Sequence, residues 1–285
     1  MKKTLIALAV AASAVSGSAI AALGGWAEDQ AGNIEFGGTI TRPAGEVKWL
    51  WAIGDGFDSF DNMTSDLIDG GKTLNISVNQ DMPLLATKVK NPITEQLSGT
   101  GAIPKVTFSS FDSTPVNVNF IDASTGEMEI KVKNKDDGSV IGNISIPFEY
   151  GAGGSIKELN NNGKVNLYSV STGGTGTLFE GLVKENTKTS PTKASKWSGV
   201  TVDDVYAAMN SVDGTNYSGP GSVDDGSWIN MADLSNNNYT GNDRVRYFVY
   251  GAGIPSGTNL SVKFDKPVTE TTEWQAPITV TVTYS

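Results

Sequence analysis

From Glu46 to Tyr150 the chain alternates apolar and polar residues in short runs divided by turn residues. EVKWLWAIG, KTLNISVN, AIPKVTFSSF, TPVNVNFI, EMEIKVKN and SVIGNISIPFEY each alternate or carry a dense β-branched and aromatic set, and DGG, SGTG, STGE and NKDDGS stand between them. A period of two predicts strands with one buried face, and strands spaced roughly 10 to 15 residues apart with turns between them predict an all-β sandwich rather than βαβ units.

After Tyr150 the texture changes. GAGGSIKELNNNGK opens a stretch rich in Gly, Asn, Ser and Thr that runs to about Asp243. Two short strands are expected in it, KVNLYSV and GTLFEGLV. One helix is expected, TVDDVYAAMNSV, with Thr201 as N-cap, Asp204 in the capping-box position, and Val202, Val205, Tyr206 and Met209 on one face. Clear strands resume in RVRYFVYGAG, TNLSVKFDK and TEWQAPITVTVTYS, so residues 155–243 read as an elaboration inserted into the sandwich.

Both ends of the chain carry an amphipathic strand. In GNIEFGGTIT, Ile34, Phe36, Gly38 and Ile40 fall at every second position; in the last strand Ile278, Val280, Val282 and Tyr284 face one way and Thr279, Thr281 and Thr283 the other. Each needs a cover for its apolar face, and a half-apolar strand near a chain end without one is an aggregation hazard. Ahead of the first lies MKKTLIALAVAASAVSGSAIAA, with Lys2 and Lys3, an apolar run from Leu5 to Ala14 and small residues closing on Ala21. That is the layout of a secretory leader, expected to be cut after Ala21, and its apolar run is too short to span a bilayer. The expected divisions are 1–21 leader, 22–44 N-terminal extension and 45–285 main domain.

Composition narrows the chemistry. Cutting after residue 21 of 285 leaves 264 residues, and the loss of Lys2 and Lys3 moves the formal charge from −10 to −12. An acidic chain poor in Arg is a weak candidate for nucleic acid, whose phosphates demand Lys and Arg. The chain has no His and no Cys. That removes the Ser-His-Asp triad, the Cys-His pair, disulfides and nearly all zinc sites, so no cofactor or metal is expected.

The remaining motifs are weak. SPTK at Ser190–Lys193 has the bare Ser-x-x-Lys spacing of penicillin-recognising acyl enzymes, but the Lys-Thr-Gly partner is absent and the stretch shows no helical pattern. GDGFDSFDNMTSD sets acids at Asp55, Asp58, Asp61 and Asp66, off the calcium-loop spacing, and reads as a solvated loop. No carboxylate pair is marked out for glycoside hydrolysis, so no catalytic residue is expected. The aromatic residues of the insert have more to offer. Trp197, Tyr217, Trp228 and Tyr239, with Asn230 nearby, could stack on a sugar ring and bind its hydroxyls; the same side chains could equally fill a satellite core.

With the leader MKKTLIALAVAASA, the early GNIEFGGTIT, VKWLWAIGDGFDSF, KTLNISV, IPKVTF, the GLV segment and the close TEWQAPITVTVTYS with its penultimate Tyr284, the chain resembles the adhesive major subunits of chaperone-usher fimbriae, the FaeG-like family of enterotoxigenic enterobacteria. The likeness covers the front half and the last 40 residues, and weakens between about 155 and 243. It implies an incomplete immunoglobulin-like β-sandwich completed by a donor strand from the next subunit, with an inserted region containing a short helix. Ile34, Phe36, Gly38 and Ile40 would be the donor side chains. Ile278, Val280, Val282 and Tyr284 would form the acceptor edge and the chaperone-recognition strand. It further implies export through the periplasm to a surface fimbrium, with a periplasmic chaperone, an outer-membrane usher, further copies of the chain and host glycoprotein or glycolipid sugars as partners. The alternatives are a purely structural pilin and a secreted carbohydrate-active enzyme.

Overall fold

The computed structural model describes residues 48–57, 60–95, 103–171, 177–230 and 243–284, all within one compact unit formed by residues 44–285. The strands are β1 (Trp49–Ile53), β2 (Thr73–Ser77), β3 (Met82–Val89), β4 (Pro104–Ser110), β5 (Val118–Phe120), β6 (Thr125–Asn134), β7 (Val140–Glu158), β8 (Val165–Ser171), β9 (Pro220–Asn230), β10 (Arg244–Ile254), β11 (Asn259–Phe264), β12 (Trp274–Gln275) and β13 (Ile278–Tyr284). Two short helices, α1 (Pro191–Ser198) and α2 (Val202–Asn210), stand between β8 and β9. The fold is all-β with a small helical elaboration, as the period-two pattern predicted.

Among the described residues the larger sheet runs β1-β3-β10-β7-β11-β2, with β6 on β7, β5 and β12 on β6, and β8 with its parallel neighbour β9 on the far half of β7. The second sheet is β13 paired antiparallel with β4. Strand β7 organises the larger sheet. Its first half pairs with β6 and β11, and its second half, from Glu149 to Glu158, pairs with β10.

That second half passes through GAGG, where a change to loop texture was expected. The glycines are there because a helix lies on them. Gly151 of β7 is directly opposite Gly251 of β10, within two Tyr-Gly-Ala-Gly runs that pair antiparallel at 150–153 and 250–253. A Cβ on Gly151 would overlap the Ser190 carbonyl oxygen and stand 2.6 Å from the Ala194 amide nitrogen; one on Gly251 would stand 2.7 Å from the Ser198 amide nitrogen. The strands give up side chains so that the backbone of α1 can lie almost against the sheet.

Helix α1 itself occupies SPTKASKWS, which showed no helical pattern. Its start is fixed locally: Ser190 is the N-cap, accepting from the Lys193 amide, Pro191 follows at the first helical position, and Gly199 closes the helix in the left-handed region. Helix α2 is the one read from sequence. Thr201 and Asp204 form its capping box, and Val205 and Met209 are buried. In place of the expected strand GTLFEGLV, residues 177–183 form a turn. Phe179 sits at φ 65°, Leu178, Phe179, Leu182 and Val183 are all buried, and a Cβ on Gly181 would overlap the Val106 carbonyl oxygen of β4. This stretch plugs the space between the two sheets at one end, with Phe179 held edge-on to Trp49 at 5.9 Å and against Tyr250 at 5.8 Å.

One buried cation is also absent from the pattern reading. Arg246 of β10 is fully buried, and its Nη1 donates to the carbonyl oxygens of Thr94, Glu95 and Arg244, which ties the segment after β3 to the sheet. Burial lowers its proton affinity.

The ionisable groups bound the pH range of stability. Asp122 is held below the usual carboxylate range by the backbone N–H of Ser124, Asp81 by that of Ser256, and Asp204 by the Thr201 hydroxyl. Burial pushes Tyr150, Tyr217 and Tyr247 up to about 12. A lowered carboxylate contributes stability above its unfolded value near 3.9, lost as pH falls through the folded value; a raised phenol contributes stability that is lost as pH rises above about 10. With no His in the chain, the unfolding midpoint measured by calorimetry is expected to stay flat from about pH 5 to 8 and to fall below about pH 4 and above about pH 10.

Candidate functional site

The inner faces of the two sheets do not meet along their whole length. Between them lies a cavity of about 1440 Å³, with Phe108 of β4 and Ile278 and Val280 of β13 on one wall, and Leu85, Ile130 and Ile254 among the residues on the other. Small-molecule pockets run from roughly 300 to 1,000 Å³. This space is larger and mostly apolar, which suits an extended polypeptide better than a compact ligand.

Strand β13 is the wall that matters most. It pairs with β4 in register from Ile278 opposite Ser110 to Tyr284 opposite Pro104, and among the described residues β4 is its one strand partner. No described strand pairs with its other edge, and an unpaired strand edge is a template for a further strand. Ile278, Val280, Val282 and Tyr284 all point inward but are only half-buried, whereas Val106, opposite Val282, is 2% exposed. The acceptor residues expected from sequence thus lie on one strand, and the inward face of that strand is incompletely covered. At its far end the Trp51 indole N–H of β1 donates to the Tyr284 hydroxyl at 3.1 Å, joining the edges of the two sheets.

The expected donor residues, Ile34, Phe36, Gly38 and Ile40, lie outside the described residues, as does Tyr239. The other expected sugar contacts separate by burial. Trp197 of α1 is 3% exposed and covers Gly253, whose Cβ would run into the indole ring. Tyr217 is 4% exposed. Both belong to the core between the helices and the sheet, so neither presents a ring face to a ligand. Trp228 of β9 differs: it is 50% exposed, and the Lys188 ammonium stands over one face of its ring, 2.9 Å from the centroid. Asn230 ends the same strand, half-buried.

The Ser-x-x-Lys stretch is structural. The Ser190 hydroxyl donates to the Asp225 carboxylate at 2.6 Å, Thr192 donates to the same carboxylate, and Lys193 is ion-paired to Glu149 at 3.0 Å. These contacts pin the start of α1 to β9 and β7. Sequence reasoning missed this platform, although the repeated Tyr-Gly-Ala-Gly at 150–153 and 250–253 was a visible signal of it.

The two faces of β10 separate two surfaces. Tyr250, Ala252 and Ile254 look into the cavity, while Gly251 and Gly253 lie beneath α1. The residues of α1, α2 and β9 are not among those that line the groove, whereas Gly181 and Leu182 of the 177–183 turn are.

Comparison with known proteins agrees with this architecture. The sequence profile of a family described as fimbrial, major and minor subunit matches residues 1–285. The F41 fimbrial protein of Escherichia coli is 38% identical, with the whole of both chains covered. The K88 fimbrial proteins AD and AB of the same species are 31% and 30% identical, again over the whole of both chains. With a two-sheet β fold, a full-length family match and full-length relatives above 30% identity, the chain belongs to the family of fimbrial major and minor subunits.

Proposed function

We propose that the chain polymerises by donor-strand exchange and that the fibre so formed binds host glycoconjugates through the region between β7 and β10. Membership of the family already makes it a structural fimbrial subunit that assembles with its own kind, and not an enzyme. The finer reading rests above all on one observation, the mostly apolar cavity of about 1440 Å³ alongside an edge of β13 that no described strand covers. Residues 22–44 of a neighbouring subunit add a strand to that edge, with Ile34, Phe36, Gly38 and Ile40 turned into the cavity. Such a contact is head-to-tail and does not close on itself, so it generates a filament. Before assembly a periplasmic chaperone lends the strand, an outer-membrane usher exports the subunit to the surface, and residues 1–21 are the leader that brings it to the periplasm.

For attachment, Trp228 supports a receptor role because among the described residues it is the exposed large aromatic side chain of the insert, beside Lys188 and Asn230. Many weak copies along a fibre convert modest sugar affinity into avidity. One experiment with two arms tests both halves in fimbriate cells. Phe36→Asp is expected to leave the exported subunit soluble and to abolish fibres in electron micrographs. Trp228→Ala is expected to leave fibre number unchanged while reducing adhesion to a mucin film by about tenfold or more. Normal fibres in the first arm would overturn donor exchange, and undiminished adhesion in the second would favour a purely structural pilin.

A further inference from the structure

The groove has two unlike ends. At the Tyr284 end the 177–183 turn fills the space between the sheets, and the nearby cations are each already paired, Lys105 with Glu180 at 2.7 Å and Lys48 with Glu95 at 3.2 Å. At the Ile278 end the lining turns from apolar to acidic. Glu270 and Glu273, in the segment that leads into β13, line the groove there, with Lys135 3.8 Å from Glu273; Asp55 and Asp61 are also among the lining residues, whose one cation is Lys135.

The extension proposed to enter this groove has a matching asymmetry. Between residues 22 and 47 the sequence holds one basic side chain, Arg42. Its number has the parity of Ile34, Phe36, Gly38 and Ile40, so in an extended strand it points to the same face, one step beyond the last apolar residue. We infer that the acidic mouth receives Arg42 from a second copy of this chain, and that this pairing fixes the direction and register of the incoming strand, antiparallel to β13 with residue 42 at the Ile278 end. The inference rests on the donor-strand reading.

Charge supplies what alternation cannot. A slip of two residues keeps every side chain on its own face, so parity does not prevent it. With Arg42 at the mouth, a slip inward carries a guanidinium into apolar lining, at the cost of burying an uncompensated charge. A slip outward draws Ile40 into the acidic collar. A reversed strand takes Arg42 away from the acidic mouth to the end where Lys48 and Lys105 are already paired with Glu95 and Glu180, so the attraction is lost.

A fluorescently labelled peptide of residues 32–44, titrated into the full chain carrying Phe36→Asp so that its own extension does not compete, tests this by anisotropy. Arg42→Glu in the peptide is expected to weaken binding by roughly tenfold at low ionic strength, a difference that disappears near 1 M salt. A receiving chain with Glu270→Lys and Glu273→Lys is expected to restore the affinity of the Arg42→Glu peptide and to weaken that of the natural one. Equal binding of both peptides to the natural groove, or no rescue by the reversed mouth, would overturn the charge pairing while leaving the donor strand in place. Failure of the natural peptide to bind at any salt would remove the donor-strand reading and this inference with it.

Discussion

A peptide spanning residues 32–44 is expected to raise the unfolding midpoint of the monomeric chain by roughly 5 to 10 °C at a hundredfold excess over its dissociation constant. The reason lies in what the isolated subunit leaves uncovered. Ile278 and Val280 on one wall, and Phe120, Ile146 and Leu84 on the others, line the cavity half-buried when a closed sandwich would bury them fully. Each apolar side chain moved fully out of water contributes about 1.5 to 3 kcal/mol, and the peptide brings three of its own in Ile34, Phe36 and Ile40. Added backbone hydrogen bonds along the open edge of β13 contribute about 1 kcal/mol apiece. Ordering the peptide costs roughly 1 to 2 kcal/mol per residue and so weakens the affinity, while at a hundredfold excess over the dissociation constant mass action sets the stabilisation at about 2.7 kcal/mol, a shift of several degrees. The same peptide with Phe36→Asp must bury a carboxylate in apolar surroundings and is expected to leave the midpoint unmoved. Differential scanning fluorimetry decides the matter, and an unshifted midpoint with the natural peptide would count against the groove as a strand acceptor.

Because β10 turns one face to the cavity and the other to α1, the groove and the helix share a wall without sharing side chains. The larger sheet therefore does two jobs with opposite tolerances. On the donor-strand proposal its inner face accepts the extension of one neighbouring copy, which constrains shape. Its outer face supports α1, α2 and β9, whose exposed residues can change without disturbing assembly. A single subunit can in this way be both the repeating unit of a filament and the bearer of a variable surface.

Much of this was readable from alternation alone. The strands β2, β4, β6 and β11 were marked by period two and bounded by Gly, Asn and Asp turns, and β13 announced a face in need of cover. Strand β3 was not marked, because Met82-Pro83-Leu84-Leu85 neither alternates nor avoids proline. The far half of β7 was obscured for a deeper reason: Gly151 and Gly153 are dictated by a helix some forty residues away in sequence, and no local pattern records that contact. GTLFEGLV has the composition of a strand, yet residues 177–183 fold as a turn because their apolar side chains fill a gap between the sheets. The same limit applied to the aromatic residues. Trp197, Tyr217 and Trp228 look alike in a Gly- and Asn-rich sequence, and only tertiary packing separates two core residues from one exposed ring.

Gly151→Ala is expected to destabilise the chain by about 3 kcal/mol or more, whereas Gly153→Ala, two residues along the same strand, is expected to cost about 1 kcal/mol or less. Both glycines face α1 and neither has positive φ, so the backbone accepts alanine at each. What differs is the atom that the new methyl group would meet. At Gly151 it overlaps the carbonyl oxygen of Ser190 and approaches the amide of Ala194, which are helix backbone and cannot yield unless α1 lifts from the sheet. At Gly153 it meets the side chains of Leu167 and Pro191 at 3.0 to 3.1 Å, and these can give by a few tenths of an ångström. Lifting α1 would also expose Trp197 and strain the Asp225 contacts that fix the helix start to β9, so the Gly151→Ala chain should show a red-shifted tryptophan emission that the Gly153→Ala chain lacks. The groove lies on the opposite face of the sheet, and donor peptide binding at low temperature is expected to survive in both. Equal destabilisation by the two substitutions in urea titrations would mean that α1 does not rest on the sheet backbone, and that the paired glycines serve some other purpose.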